Sequence, residues 1–235
     1  MTSRSAMCGN FEWITFDCYG TLIDWEKGIL EAIGPFIERA CRKPSAVELL
    51  SLYARLESEE EKTWRPYREV LERVADGLAK ALGIELLPEE RGFLVKSLPT
   101  WKPFPEADIA LKMLKTYGFK LAIISNIDND LLARTLRHFT VDFDLVVTAE
   151  EARCYKPYRK IFLLAAQKLA VSPSKILHVG QSLFHDIVPA SALGWKTCWV
   201  KRPGRDPYGA TPRASAEPDF IVSDLREIEK IARSV

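Results

Sequence analysis

Four short polar segments hold the residues with chemical capacity in this chain: Asp17-Cys18-Tyr19-Gly20-Thr21, Ser125-Asn126, Lys156-Pro157 and Gln181-Ser182-Leu183-Phe184-His185-Asp186. Each comes after a short apolar run, at 13–16, 120–124, 145–147 and 175–179, the third after a gap of several residues. Runs of this kind, rich in β-branched and aromatic residues and closed by polar or glycine turns, read as buried parallel strands. A fifth stands at 197–200. In open α/β sheets ligands gather at the carboxyl ends of the strands. The four segments therefore bring a carboxylate, a hydroxyl, a lysine and a second carboxylate to one sheet edge. A carboxylate kept ionised by a neighbouring ammonium is a nucleophile that can form an ester or an acyl phosphate. Hydroxyls and backbone amides beside it orient it or bind an anion. Taken singly, Asp17 reads as a turn residue, Lys156-Pro157 as a helix entry and Ser125-Asn126 as a cap. Their occurrence together after successive strands carries the catalytic reading.

Helical patterns separate the strands. Residues 106–117 place Ala107, Ala110, Leu111 and Leu114 on one face, and 160–170 do the same with Ile161, Leu164, Ala165 and Leu169. Gly118 and Gly194 stand where helices end. The alternation predicts a doubly wound, Rossmann-like α/β fold with a parallel sheet. One stretch breaks it. Between Trp25 and Trp101 the patterns, notably 48–62 and 68–82, are helical, and Pro44, Pro66 and Pro88 punctuate them. An inserted all-α helical cap of three to five helices over 25–102 follows, with a discontinuous core of 1–24 and 103–235.

The chain has 235 residues, 47% hydrophobic and 28% charged, which excludes a disordered chain. A net charge of +1 argues against nucleic-acid or anionic-membrane partners. No apolar run reaches the length of a membrane span, and residues 1–10 lack the order of a secretory signal. The five cysteines include no C-x-x-C pair. We expect reduced thiols in a cytoplasmic protein.

The four segments, in this order, resemble the four motifs of the haloacid dehalogenase superfamily, and the insert stands where that family places its cap. The resemblance implies a hydrolase with Asp17 as the nucleophile. Lys156 would neutralise charge, Thr21 and Ser125 would orient the carboxylate or bind an anion, Asp186 would position Lys156, water or a metal, and Asn126 would support the same cycle. Phosphatases of the superfamily usually carry a second aspartate two residues after the nucleophile, to protonate the leaving alcohol. That position is Tyr19 here, and Phe16-Asp17-Cys18-Tyr19-Gly20-Thr21-Leu22 is similar to the 2-haloacid dehalogenase branch. A halide leaves without a proton. The resemblance thus implies dehalogenation of a small anionic 2-haloacid without a cofactor or metal. An alternative is a phosphatase holding Mg²⁺ with Asp17, the Tyr19 carbonyl and Asp186, one carboxylate short because Gln181 replaces an acid. A third reading is a non-catalytic binding protein.

Two positions depart from the dehalogenase pattern: Leu183 replaces an asparagine and Phe162 a tyrosine. For the substrate side we expect Tyr19, Ser182, His185 and an arginine suited to forked carboxylate binding. Arg55 is the candidate by position, with Arg65 and Arg68 as rivals, although a helix arginine among Glu57, Glu59, Glu60 and Glu61 also reads as a solvated partner. Trp25, Trp64 and Trp101 are placed to wall an apolar pocket or to pack cap on core. Cys18 should point away from Asp17, and His138 and His178 carry no partner signature. The basic loop Lys201-Arg202-Pro203-Gly204-Arg205 reads as solvated, and 205–218 as irregular surface. A homodimer is expected by resemblance alone.

Overall fold

The computed structural model describes residues 11–206 and 211–234. In chain order, β1 (Trp13–Phe16) leads into α1 (Trp25–Ile37), α2 (Ala46–Glu60), α3 (Tyr67–Leu82) and α4 (Phe93–Ser97). The alternation resumes with α5 (Ala107–Thr116), β2 (Lys120–Ser125), α6 (Asn129–Thr135), β3 (Leu145–Thr148), α7 (Ala149–Ala152), α8 (Arg159–Leu169) and β4 (Ile176–Gly180). A π turn (Leu183–Ile187), α9 (Val188–Ser191), β5 (Lys196–Val200), β6 (Phe220–Val222) and α10 (Ile228–Ser234) complete it. The six strands form one parallel sheet in the order β3-β2-β1-β4-β5-β6. The chain moves from β1 outward through β2 and β3, then crosses to β4 on the other side. The carboxyl end of β1 is therefore the switch point where a crevice opens. Phe16 pairs there with Ile123 of β2 and Val179 of β4, which sets Asp17 between the ends of both neighbours.

β1 and β4 are buried throughout, and β2 and β5 are exposed only at their first residue. Continuous burial explains why they read as apolar runs rather than alternating ones. β6 and α10 were not anticipated. β6 has three residues, and only Val222 is fully buried, so it offers no pattern. Residues 211–218 carry no helix or strand, as expected, while 207–210 of the expected irregular stretch lie outside the described residues.

The inserted helices have local causes. Ser45 and Glu48 form a reciprocal capping box that starts α2. α3 presents Val70, Leu71, Val74, Leu78 and Leu82 on one buried face and ends at Gly83 in the left-handed region, φ +66°. Core and insertion are tied together at one carboxylate. Asp128, 2% exposed, accepts from the Tyr67 and Arg68 amides at 2.7 and 3.0 Å. It satisfies the open N–H groups at the start of α3, and it lies two residues beyond Asn126. The start of α3, and with it Tyr67, is thereby fixed over the crevice. No described helix is long and apolar enough to cross a membrane.

Candidate active site

The end of β1 turns sharply, with Gly20 at φ +104°. The turn brings Thr21 back beneath Asp17. Thr21 Oγ1 donates to Asp17 Oδ2 at 2.8 Å and accepts from the Gln181 amide at 2.9 Å, so one hydroxyl joins the first and fourth segments. Lys156 Nζ donates to Asp17 Oδ1 at 2.8 Å and to Asp186 Oδ1 at 2.6 Å. The lysine is 2% exposed and both carboxylates are buried. Burial opposes the lysine's charge, but the two carboxylates outweigh it and hold the ammonium above the usual lysine range. Burial likewise opposes ionisation of Asp186, but Lys156 and the His178 hydrogen bond hold it well below the carboxylate range. Asp17 is pushed up by burial and by Asp186, and Lys156 and Thr21 pull it back.

Asp186 fits this position because Gly180 lacks a side chain. A Cβ there would stand 2.5 Å from Asp186 Cβ. Beneath Asp186, His178 Nε2 lies 3.5 Å from Oδ1, and its Nδ1 lies 2.8 Å from Thr15 Oγ1. Phe162 packs edge-on against the His178 ring at 5.3 Å. The residue that departs from the dehalogenase pattern thus supports the histidine behind the second carboxylate. No partner for His178 is visible in the sequence; it lies on the buried strand β4, paired in register with Thr15 of β1.

The other expected residues divide. Asn126 holds the lysine's backbone: its Oδ1 accepts from Lys156 N at 2.6 Å and its Nδ2 donates to Lys156 O at 3.2 Å. Ser125 Oγ, buried in the cavity wall, has no partner. Tyr19 lines the cavity, but its hydroxyl is hydrogen-bonded to Thr135 Oγ1 at 2.7 Å, and burial keeps its pKa well above the usual tyrosine range. Ser182 and His185 also line it. Ser182 Oγ caps the π turn by accepting from His185 N at 3.0 Å. Cys18 is buried and does not line the cavity, as expected.

Burial lowers the His185 imidazole from the ordinary 6.5 to about 4. The folded state therefore favours the neutral ring. Its contribution to stability is complete above pH 6.5 and is lost as pH falls through about 4. Because the ring is partly exposed, the loss should be on the order of 2 kcal/mol. Urea midpoints measured between pH 7 and 4 check this, and His185→Gln should flatten the wild-type slope by that amount.

Three expectations fail. Arg55 is exposed and does not line the cavity; it stands two residues from the buried Tyr53, about 200° around the helix. Arg65 pairs with Glu60, and Arg68 with Asp128 and Asp130, so neither rival faces the cavity either. The basic loop is not simply solvated. Arg202 stacks 3.6 Å above the Phe104 ring, pairs with Glu106 at 2.7 Å and donates to the Thr21 carbonyl at 2.9 Å, bracing the turn that follows Asp17. In place of an arginine the insertion contributes Glu57 and Glu61, with Tyr53 and Tyr67. The spacing 53, 57, 61 marks one helical stripe, and a buried tyrosine at its head is the signal that could have found them.

A cavity of about 80 Å³ lies between Asp17 and these side chains. At about 30 Å³ per water it admits about two to three waters. A wider recess of about 260 Å³ shares Glu61, Lys156 and His185 with it.

The model of the haloacid dehalogenase-like hydrolases matches residues 11–194. The chain belongs to that family. This hydrolase is 28% identical over 230 residues to an (S)-2-haloacid dehalogenase of Pseudomonas sp. (strain YL), covering 93% of each chain. It is 30% identical over 221 residues to a presumed pyrophosphatase of Clostridium perfringens, covering 92% of this chain and 94% of the relative. Among solved structures, an L-2-haloacid dehalogenase from Xanthobacter autotrophicus with chloropropionic acid covalently bound superposes with a TM-score of 0.80 at 20% identity. That comparison covers 96% of this chain and 99% of the other and bears on the fold.

The metal that phosphatases of the superfamily use fits these residues poorly. The Lys156 ammonium takes Oδ1 of both Asp17 and Asp186, Gln181 stands where a further acid would complete the donor set, and among the described residues no three His, Cys, Asp or Glu side chains group as metal ligands.

Proposed function

We propose that this hydrolase removes halide from a small 2-haloacid through an ester on Asp17, without a metal. The observation that carries the reading is the Tyr19 hydroxyl bound to Thr135 beside a nucleophile held by Lys156. Burial holds the Tyr19 hydroxyl well above the usual tyrosine range and Thr135 engages it, so it is a poor acid for a leaving alcohol, and a leaving group that needs no proton suits the site better.

Asp17 attacks the carbon bearing the halogen, a carbon–oxygen bond forms, and the halide leaves with its electron pair. Water then adds to the Asp17 carbonyl carbon, and the 2-hydroxy acid departs as the carboxylate is restored. One water proton goes to the departing oxygen and one to solvent. Asp186 Oδ2, buried without a partner, is available to orient that water. Ser125 Oγ is available to the substrate carboxylate. The covalent adduct named for the Xanthobacter structure and the dehalogenase relatives support this reading. A phosphoester is a poorer fit. A phosphate dianion would bring twice the charge of a carboxylate into a cavity lined by Asp17, Asp186, Glu57 and Glu61 against Lys156.

Halide release from chloro-, bromo- and fluoroacetate and from the 2-halopropionates, with chelator present, tests the proposal. Release from at least one of them is expected. Release from none, with phosphate release from phosphoesters once Mg²⁺ is restored, would replace this reading by the phosphatase one.

A further inference from the structure

The wall that the insertion turns towards Asp17 is made of hydrogen-bond acceptors. Tyr53 and Tyr67 hydroxyls donate to Glu57 Oε1 at 2.9 and 2.5 Å. Both have spent their protons and keep only lone pairs. Glu61, one turn further on, completes the wall. Among the described residues no Lys, Arg or His forms an ion pair with Glu57 or Glu61, and Lys156 is engaged by Asp17 and Asp186. The neutral His185 adds no charge. Burial pushes both glutamate carboxyls up and Glu57 raises Glu61 further, more than the two tyrosines and the Lys156 charge pull them back, so a cation between them would relieve a cost already present. Trp25, Tyr53 and Trp101 fill the rest of the wall, with the Trp25 and Tyr53 ring centroids 5.6 Å apart. Carboxylates beside aromatic rings suit an ammonium ion. An independent observation points to a ligand on the core side, where a hydroxyl is free to donate to an anionic or accepting group. Ser125 Oγ, 1% exposed and without a partner, lines the cavity there.

We infer that the substrate group facing the insertion is a primary ammonium held by Glu57 and Glu61, and that the substrate is a zwitterion, a small haloacid carrying an amine. The halogen in that statement rests on the proposed function; the ammonium does not. A 2-halo-3-aminopropionate carries the halogen, the carboxylate and the ammonium in one small molecule. The glutamates thus occupy the selective role that the sequence assigned to an arginine, with the opposite sign.

Equilibrium titration with β-alanine and with propionate, at equal ionic strength, reads the ammonium without any turnover. The wild-type protein should bind β-alanine at least about tenfold more tightly than propionate. Glu61→Gln, at a partly exposed position, should weaken β-alanine about five- to tenfold and leave propionate unchanged or improved. Propionate binding as tightly as β-alanine, equal loss of both in the variant, or no binding of either up to about 100 mM would overturn the inference. The wild-type preference decides the matter even if the variant does not fold. Halide release without that preference overturns the ammonium and leaves dehalogenation standing; the preference without halide release does the reverse.

Discussion

Asp17→Ala is expected to lower halide release by about 10⁴-fold or more while the protein stays folded. No other side chain can take over the attack. Cys18 is buried outside the cavity, and burial raises its thiol pKa far above the range where a thiolate forms. Asp186 is held by Lys156 and His178, Glu57 is tied to two tyrosines, and Glu61, on the wall across the cavity, is pushed towards its neutral form by burial and by Glu57. Stability should change little or rise. The variant removes a carboxylate whose pKa burial has pushed up, and Lys156 keeps Asp186 as a partner. Steady-state halide release together with a urea melt checks both parts. Loss of activity with loss of fold would not count as agreement.

The second large effect is at Lys156. Lys156→Met should reduce turnover by about 10³-fold and cost about 3–5 kcal/mol at neutral pH, because it leaves two buried carboxylates without their shared cation. The pH dependence has a definite sign. In the wild type the depressed Asp186 pKa contributes stability that is present above the ordinary carboxylate value and is lost as pH falls through the folded one. Without Lys156 that contribution disappears. The difference between variant and wild type should therefore be largest near neutral pH and shrink in acid. Any residual activity should move to higher pH, because Asp17 loses the charge that opposed burial. Urea midpoints and pH–rate profiles of the two proteins are the measurements.

The sheet and its four polar segments were legible because parallel strands buried on both faces read as continuous apolar runs. β1 and β4, buried at every residue, are the clearest cases. β6 was not legible, because a three-residue edge strand buried only at Val222 carries no such signal. The pairing of Lys156 with both carboxylates follows from placing the segments at the switch point. His178 was missed because its partners, Thr15 and Asp186, meet it only across paired strands. The insertion was harder to read. Its helices announce themselves through Ser45, Glu48 and Gly83. Which face of α2 turns inward, however, is decided by packing against α3 and by the Asp128 clamp. In a run of four glutamates around Arg55, charge alone pointed to a solvated face. The buried Tyr53 shows that residues 57 and 61 turn inward and Arg55 outward. Arg202 misled for the converse reason: a basic loop looked solvated, yet its guanidinium braces the Gly20 and Thr21 carbonyls.

The central claim is that an Asp17 oxygen enters the product. A single turnover with enzyme in excess over 2-chloropropionate in ¹⁸O-enriched water tests it most directly. The account predicts a 2-hydroxy acid whose new oxygen is unlabelled, and ¹⁸O in the peptide that contains Asp17. Labelled product from that first turnover, with an unlabelled Asp17 peptide, would mean that water attacks the substrate itself and would contradict the account.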